Sequence, residues 1–113
     1  MDDVRPVCAR FHHAIELIGA RWTGAVLRGL FAGHRQFSQL RASVPGISDA
    51  MLTQRLRTLE AEGLVTRAVT ASSPVRVEYT LTEKGRALEP VLEAVIAWSH
   101  RWVPIPGEAV AEE

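Results

Sequence analysis

Cysteine is nearly absent from this chain of 113 residues, with Cys8 the single example. One cysteine excludes an intrachain disulfide, and there is no Cys-x-x-Cys pair for zinc. Long apolar runs are missing as well. None approaches the ~20 residues that a membrane helix needs. The opening Met1-Asp2-Asp3-Val4-Arg5-Pro6 lacks the basic-then-apolar pattern of a signal peptide, so a cytoplasmic location is expected, without a membrane partner. Neither charge is in excess, with 13 basic and 13 acidic residues. That balance argues against a nucleic-acid binder, since such domains are often strongly basic. No nucleophile elbow, phosphate loop or metal motif is present, so neither catalysis nor a cofactor is expected. Internal repeats and low-complexity segments are also lacking. What remains is 47% hydrophobic and 23% charged, the composition of an ordinary globular domain rather than a disordered one. The length fits one such domain.

The most informative stretch runs from Phe37 to Gly63. A short helix over about Ser38 to Val44 precedes Pro45-Gly46, a strong helix breaker. A second helix begins behind Ser48, whose side-chain oxygen suits an N-cap, and ends at Gly63. Leu52, Leu56 and Leu59 repeat at helical spacing and form a buried stripe. Ala50, Thr53, Gln54 and Arg57 fall on the other side. These are groups that suit base edges and phosphates: glutamine with adenine, arginine with guanine, a threonine methyl against thymine. The stretch reads as a helix-turn-helix with a recognition helix. An ordinary helical hairpin with a mixed surface is the plain alternative.

The flanking segments complete a pattern. A first helix over about Val7 to Ile18 carries Phe11, Ile15 and Ile18 on one face, and Gly19 ends it. Cys8 lies near its start, where the positive end of the helix dipole favours a charged sulfur. A sensing thiol is one reading of Cys8 and a small buried hydrophobe is the other. His12, His13 and Glu16 lie close together, but two ligands one turn apart do not make a site, and no metal is expected. A second helix spans about Thr23 to Phe31, and His34-Arg35-Gln36 is a candidate edge strand. Beyond Gly63, Leu64–Val69 and Val75–Leu81 are β-prone and flank a polar loop, which gives an antiparallel hairpin. Directly after a helix-turn-helix, such a hairpin is a wing. Ser72, Ser73 and Arg76 at its tip can reach the sugar-phosphate backbone or the minor groove. The last helix is expected as one piece from Thr82 to Trp102, with Pro90 kinking it. Its wide apolar arc needs a partner: the first helix of the same chain, a two-fold related copy, or both.

Charge is distributed unevenly. Between His34 and Arg86 there are eight basic and five acidic residues, a balance of about +3, against about −3 elsewhere. The excess coincides with the elements that would face DNA.

Taken in order, these motifs resemble the HxlR-type transcriptional regulators, a branch of winged-helix proteins close to the MarR group. The resemblance rests on Ile18-Gly19-Ala20-Arg21-Trp22-Thr23, Arg35-Gln36-Phe37-Ser38-Gln39-Leu40, Gly46-Ile47-Ser48 and Met51-Leu52-Thr53-Gln54-Arg55-Leu56. It continues through Pro74-Val75-Arg76-Val77-Glu78-Tyr79 and Thr80-Leu81-Thr82-Glu83-Lys84-Gly85. It covers about Cys8 to Trp98, and the order and spacing together are far more specific than any one hexamer. It implies a mainly α fold with a small antiparallel β-hairpin, a winged helix-turn-helix with terminal dimerisation helices. It also implies a homodimer that acts as a repressor on a palindromic operator in double-stranded DNA. Members typically carry a cysteine just before the first helix, and in one branch an oxidant or electrophile acts there. This chain departs from that pattern in having Ala9 where proline is common, and in lacking the second cysteine of some sensors. For Cys8 this leaves a bridge to its counterpart, a mixed disulfide with a small thiol, or alkylation.

The expected organisation is therefore one domain over 1–103, with the helix-turn-helix at 37–63, the wing at 64–81, the last helix at 82–102, and a frayed tail over 104–113. The DNA-facing set is Arg35, Ser48, Ala50, Thr53, Gln54, Arg57, Ser72, Ser73 and Arg76. The signal enters either at Cys8 or through a small-molecule pocket near Trp22 and Trp98. A winged helix used for protein contacts, with no operator of its own, is the competing function.

Overall fold

Apolar side chains from six segments close over one another at the centre of the molecule. The computed structural model describes residues 4–106. The elements run α1 (Ala9–Ile18), α2 (Thr23–Phe31), α3 (Phe37–Ser43), α4 (Asp49–Ala61), β1 (Val65–Thr70), β2 (Arg76–Leu81), α5 (Glu83–Arg86) and α6 (Glu89–Trp102). Val26, Leu27 and Leu30 of α2 meet Leu40 of α3 and the Leu52–Leu56–Leu59 stripe of α4. Leu64 and Val65 at the base of the hairpin, Leu81 at its end, and Leu92 of α6 seal the rest. The helical spacing of the α4 leucines gives that helix its orientation, because only one face can be taken out of water. The expected tail lies mostly outside the described residues.

The two strands pair antiparallel, with Val65 opposite Leu81 and Thr70 opposite Arg76. Val65 and Leu81 are buried, whereas Val69 and Val75 near the tip are exposed. The hairpin is rooted in the core at one end and projects from it at the other.

Two expectations need correction. The last helix is not one piece. Pro90 sits in the first turn of α6, and a break at Ala87–Leu88 separates it from α5. A proline in a helix interior removes a hydrogen bond and crowds the preceding turn, whereas in the first turn its missing N–H costs nothing. The chain therefore starts a new helix around Pro90 rather than kinking an old one. The segment His34–Gln36 forms no strand. The Gln39 side chain accepts from the backbone N–H groups of Arg35 and Gln36, which commits these residues to the start of α3. A single backbone bond from the Tyr79 N–H to the Arg35 carbonyl, 2.8 Å, still fastens the segment to β2.

α1 rests on α2 and contains no buried residue. Intrachain packing of the first helix on the last therefore does not cover their apolar faces. Phe11 and Ile15 on α1, and Val95, Trp98 and Trp102 on α6, are all exposed. The radius of gyration is 17.1 Å, against about 13 Å for a compact chain of about 100 residues.

Candidate nucleic-acid interface

The 13-residue α4 is about 20 Å long at 1.5 Å per residue. Its start is defined by Ser48, whose hydroxyl oxygen accepts the Met51 N–H at 3.1 Å. Its end is defined by Gly63, where φ is +79°, a conformation that glycine adopts without the Cβ penalty. With Leu52, Leu56 and Leu59 turned into the core, Ala50, Gln54 and Arg57 are exposed and Thr53 is half-buried beside them. The structure thus brings these four onto one accessible face of one helix. Neighbouring Thr58 turns its hydroxyl back onto the Gln54 carbonyl, 3.1 Å, and is spent within the helix.

Arg35 stands beside the hairpin because its carbonyl is bound to Tyr79, and its side chain is exposed. Arg76 lies at the outer end of β2, also exposed. Ser73 is exposed in the tip. Ser72 is exposed too, but its hydroxyl donates to the Pro74 carbonyl at 2.8 Å and shapes the loop itself. Its part at the tip is therefore first to fold the turn.

Two arginines stand out that the sequence pattern did not single out. The Arg41 Nε lies 2.7 Å from Asp49 Oδ1. This ion pair spans the Pro45-Gly46 turn and joins α3 to the first residue of α4, where a carboxylate also complements the helix dipole. Arg41 and Asp49 bracket the breaker pair in sequence, which was the available signal. Arg55 keeps its Nε buried with no hydrogen-bond partner among the described residues. Buried guanidinium donors ordinarily find an acceptor, and spacing alone could not reveal this one.

Cys8 is exposed and occupies the N-cap position of α1, with no side-chain capping bond. Cys8 is therefore not buried within its own chain. His13, once considered with His12 and Glu16, turns instead to Glu62 at 3.1 Å. Among the described residues no group of three or more His, Cys, Asp or Glu side chains is placed to hold a metal, and no helix is long and apolar enough to cross a membrane.

Trp22 is packed against the core, whereas Trp98 is exposed. Trp22 takes φ +75° before α2, and its ring tip lies 3.6 Å from where a Cβ on Gly46 would stand. It packs over the helix-turn-helix turn. Trp98 is 61% exposed on α6. A cleft of about 200 Å³ does open between α2 and α6, but its lining is Phe31, Leu92 and Ile96 with Arg28, Glu89 and Glu93.

Comparison with known proteins places this geometry. The HxlR-like helix-turn-helix profile matches residues 17–106. The uncharacterized HTH-type transcriptional regulator YvaP of Bacillus subtilis (strain 168) is 39% identical over 97 residues, 86% of this chain and 90% of that protein. The HTH-type transcriptional regulator YodB of the same strain is 39% identical over 107 residues, 95% of each. The structure of reduced YodB superposes with a TM-score of 0.78 at 38% identity, covering 91% of this chain and all of that one. The redox regulator HypR in its oxidized form superposes with a TM-score of 0.78 at 35% identity, covering 86% of this chain and all of that one. YodB has also been solved after diamide treatment.

Proposed function

The chain belongs to the HxlR-like helix-turn-helix family, and from that premise we propose that it is a homodimeric repressor that binds a palindromic operator and is released by oxidation or alkylation of Cys8. The observation that carries the DNA-binding half is the accessible face of α4, with Gln54 and Arg57 beside Ala50 and Thr53, next to a projecting hairpin. Each recognition helix enters a major groove, with Thr53, Gln54 and Arg57 at base edges. The α4 N-terminus with Ser48 anchors a phosphate, and Arg35, Arg76 and the Ser72–Ser73 tip grip the backbone. The dimer is supported by the exposed apolar residues of α1 and α6. A monomer would leave Phe11, Val95, Trp98 and Trp102 in water, whereas a two-fold interface uses the same patch on both copies.

The switch is supported by an exposed Cys8 at the head of α1, a helix held without buried side chains. With one cysteine per chain, the accessible products are a bridge to the partner's Cys8, a mixed disulfide with a small thiol, or a thioether. The likeness to YodB and HypR, one solved after diamide treatment and the other described as a redox regulator, points the same way.

The deciding experiment is binding to the DNA upstream of the gene, with the protein reduced and then treated with diamide or a quinone, beside Cys8→Ser. Treatment should release the wild type and spare the variant. Equal binding by both, treated or not, would remove the thiol switch and leave the winged helix standing.

For the reading helix itself, Arg57→Ala should cost about 1–3 kcal/mol in operator binding and relax one base position. The check is a competition series with single-base operator variants. A loss of the same size on every sequence would show that Arg57 meets phosphate only.

A second reading draws on the cleft between α2 and α6. A ligand seated there could favour one dimer shape over another, provided its affinity differs between the two. A small molecule that shifts DNA binding of the Cys8→Ser protein would support it.

A further inference from the structure

The C-terminal end of α4 is held from outside by three groups. The Lys84 Nζ donates to the Glu62 carbonyl at 2.6 Å. The Thr82 hydroxyl donates to the Gly63 carbonyl, also at 2.6 Å. Both arrive with the chain as it leaves the hairpin. The third group comes from α1: His13 Nε2 lies 3.1 Å from Glu62 Oε1, across 49 residues of sequence. An ionised carboxylate only accepts, so the imidazole Nε2 carries the hydrogen and donates it.

For α1 this contact has unusual weight. Among the described residues it is the one side-chain hydrogen bond or ion pair that the helix makes. α1 has no buried residue, and Leu17 near its end is its half-buried contact with the core. Both partners of the bond keep access to water, with side-chain exposures of 66% and 29%. Such a pair adds little to global stability, so what it contributes is direction.

We infer that His13 is a positioning residue that acts through Glu62 to set the seat of the recognition helix relative to α1. The inference rests on the reading of α4 as the DNA-reading helix. A helix about 20 Å long converts a tilt of about 5° at one end into a displacement of about 1.7 Å at the other. That shift is enough to take a side-chain donor out of hydrogen-bond range of a base edge. The same bond joins the middle of α1 to the C-cap of α4. His13 lies five residues beyond Cys8, or about 7.5 Å along the helix axis.

The test uses the full chain as His13→Ala, His13→Gln, Glu62→Ala and the His13→Ala/Glu62→Ala pair. Two properties are measured: amide hydrogen exchange over residues 59–63 without DNA, and affinity for the operator fragment and for an unrelated duplex. His13→Ala should exchange about five-fold faster there and bind the operator about five-fold more weakly. Its affinity for the unrelated duplex and its melting temperature should match the wild type. His13→Gln, whose amide can donate the same bond, should recover both properties, and the pair should behave like Glu62→Ala alone. Wild-type exchange and wild-type operator affinity in His13→Ala would overturn the inference, as would a His13→Gln no better than His13→Ala. A wild type that does not prefer its operator to the unrelated duplex would sink the DNA-binding reading instead. The exchange measurement would still decide on the tie.

Discussion

Gly85→Ala should lower the thermal midpoint by roughly 10 °C or more, the largest effect of any single added methyl in this fold. A Cβ at position 85 would stand 2.2 Å from the Leu64 carbonyl oxygen and 3.1 Å from both the Leu64 carbonyl carbon and the Leu81 side chain. The obstacle is backbone at the root of the hairpin, not the end of a flexible chain. Relief therefore means moving β1 or α5. The same few residues are tied by the Thr82 N–H to the Leu64 carbonyl at 3.0 Å and by the Gly85 N–H to the Thr82 hydroxyl at 3.1 Å. Overpacking of this kind costs about 3 kcal/mol, which for a domain near 100 residues corresponds to at least about 10 °C. Gly24→Ala is the control, because nothing lies within 4 Å of its would-be Cβ and a helical alanine is favoured over glycine. Thermal unfolding followed by circular dichroism compares the two. A Gly85→Ala midpoint within a degree or two of wild type would show that the junction can yield.

Operator binding should weaken about 10²-fold between 50 and 200 mM salt. The chain carries no net charge, so the expectation comes from local cations. Arg35 and Arg76, the arginines assigned to the backbone, are exposed on each protomer, which makes four guanidiniums in the proposed dimer. Four neutralised phosphates give a log–log slope of about −3.6. Arg41 is left out of that number because Asp49 already holds it at 2.7 Å. Anisotropy titrations at five or six salt concentrations measure the slope directly. A flat response would remove phosphate binding from the account and favour a winged helix that docks on protein. A much steeper slope would mean that Arg57, Arg67 or Arg41 also reaches the backbone.

Much of this architecture could be read from the amino acids, and the reasons are local. α2 spans Thr23–Phe31 as expected, and α4 starts behind Ser48 and stops before Gly63, because caps and leucine spacing act over one or two turns. The hairpin was legible because alternation and a polar loop constrain neighbours in sequence. The face of α4 carrying Ala50, Thr53, Gln54 and Arg57 followed from the leucines opposite. The failures were competitions between local signals or contacts at long range. Pro90 could kink a helix or start one, and only the break at Ala87–Leu88 decides between them. His34–Gln36 had strand-like composition, but Gln39 claimed its N–H groups first. The His13–Glu62 bond joins residues 49 apart, and no periodicity announces it. Neither does the placement of Trp22 over Gly46, which depends on a positive φ that a tryptophan seldom adopts.

The hairpin, sealed by Val65 and Leu81 at its root and bare at its tip, also bears on how such a protein can diversify. Residues 71–75 bear on no part of the core, so insertions, deletions or exchanges there reshape the turn and leave the core as it is. The same residues lie where the molecule would grip the flank of an operator. Target choice can therefore drift through the tip, one tolerated change at a time, while the reading helix and its leucine floor stay as they are.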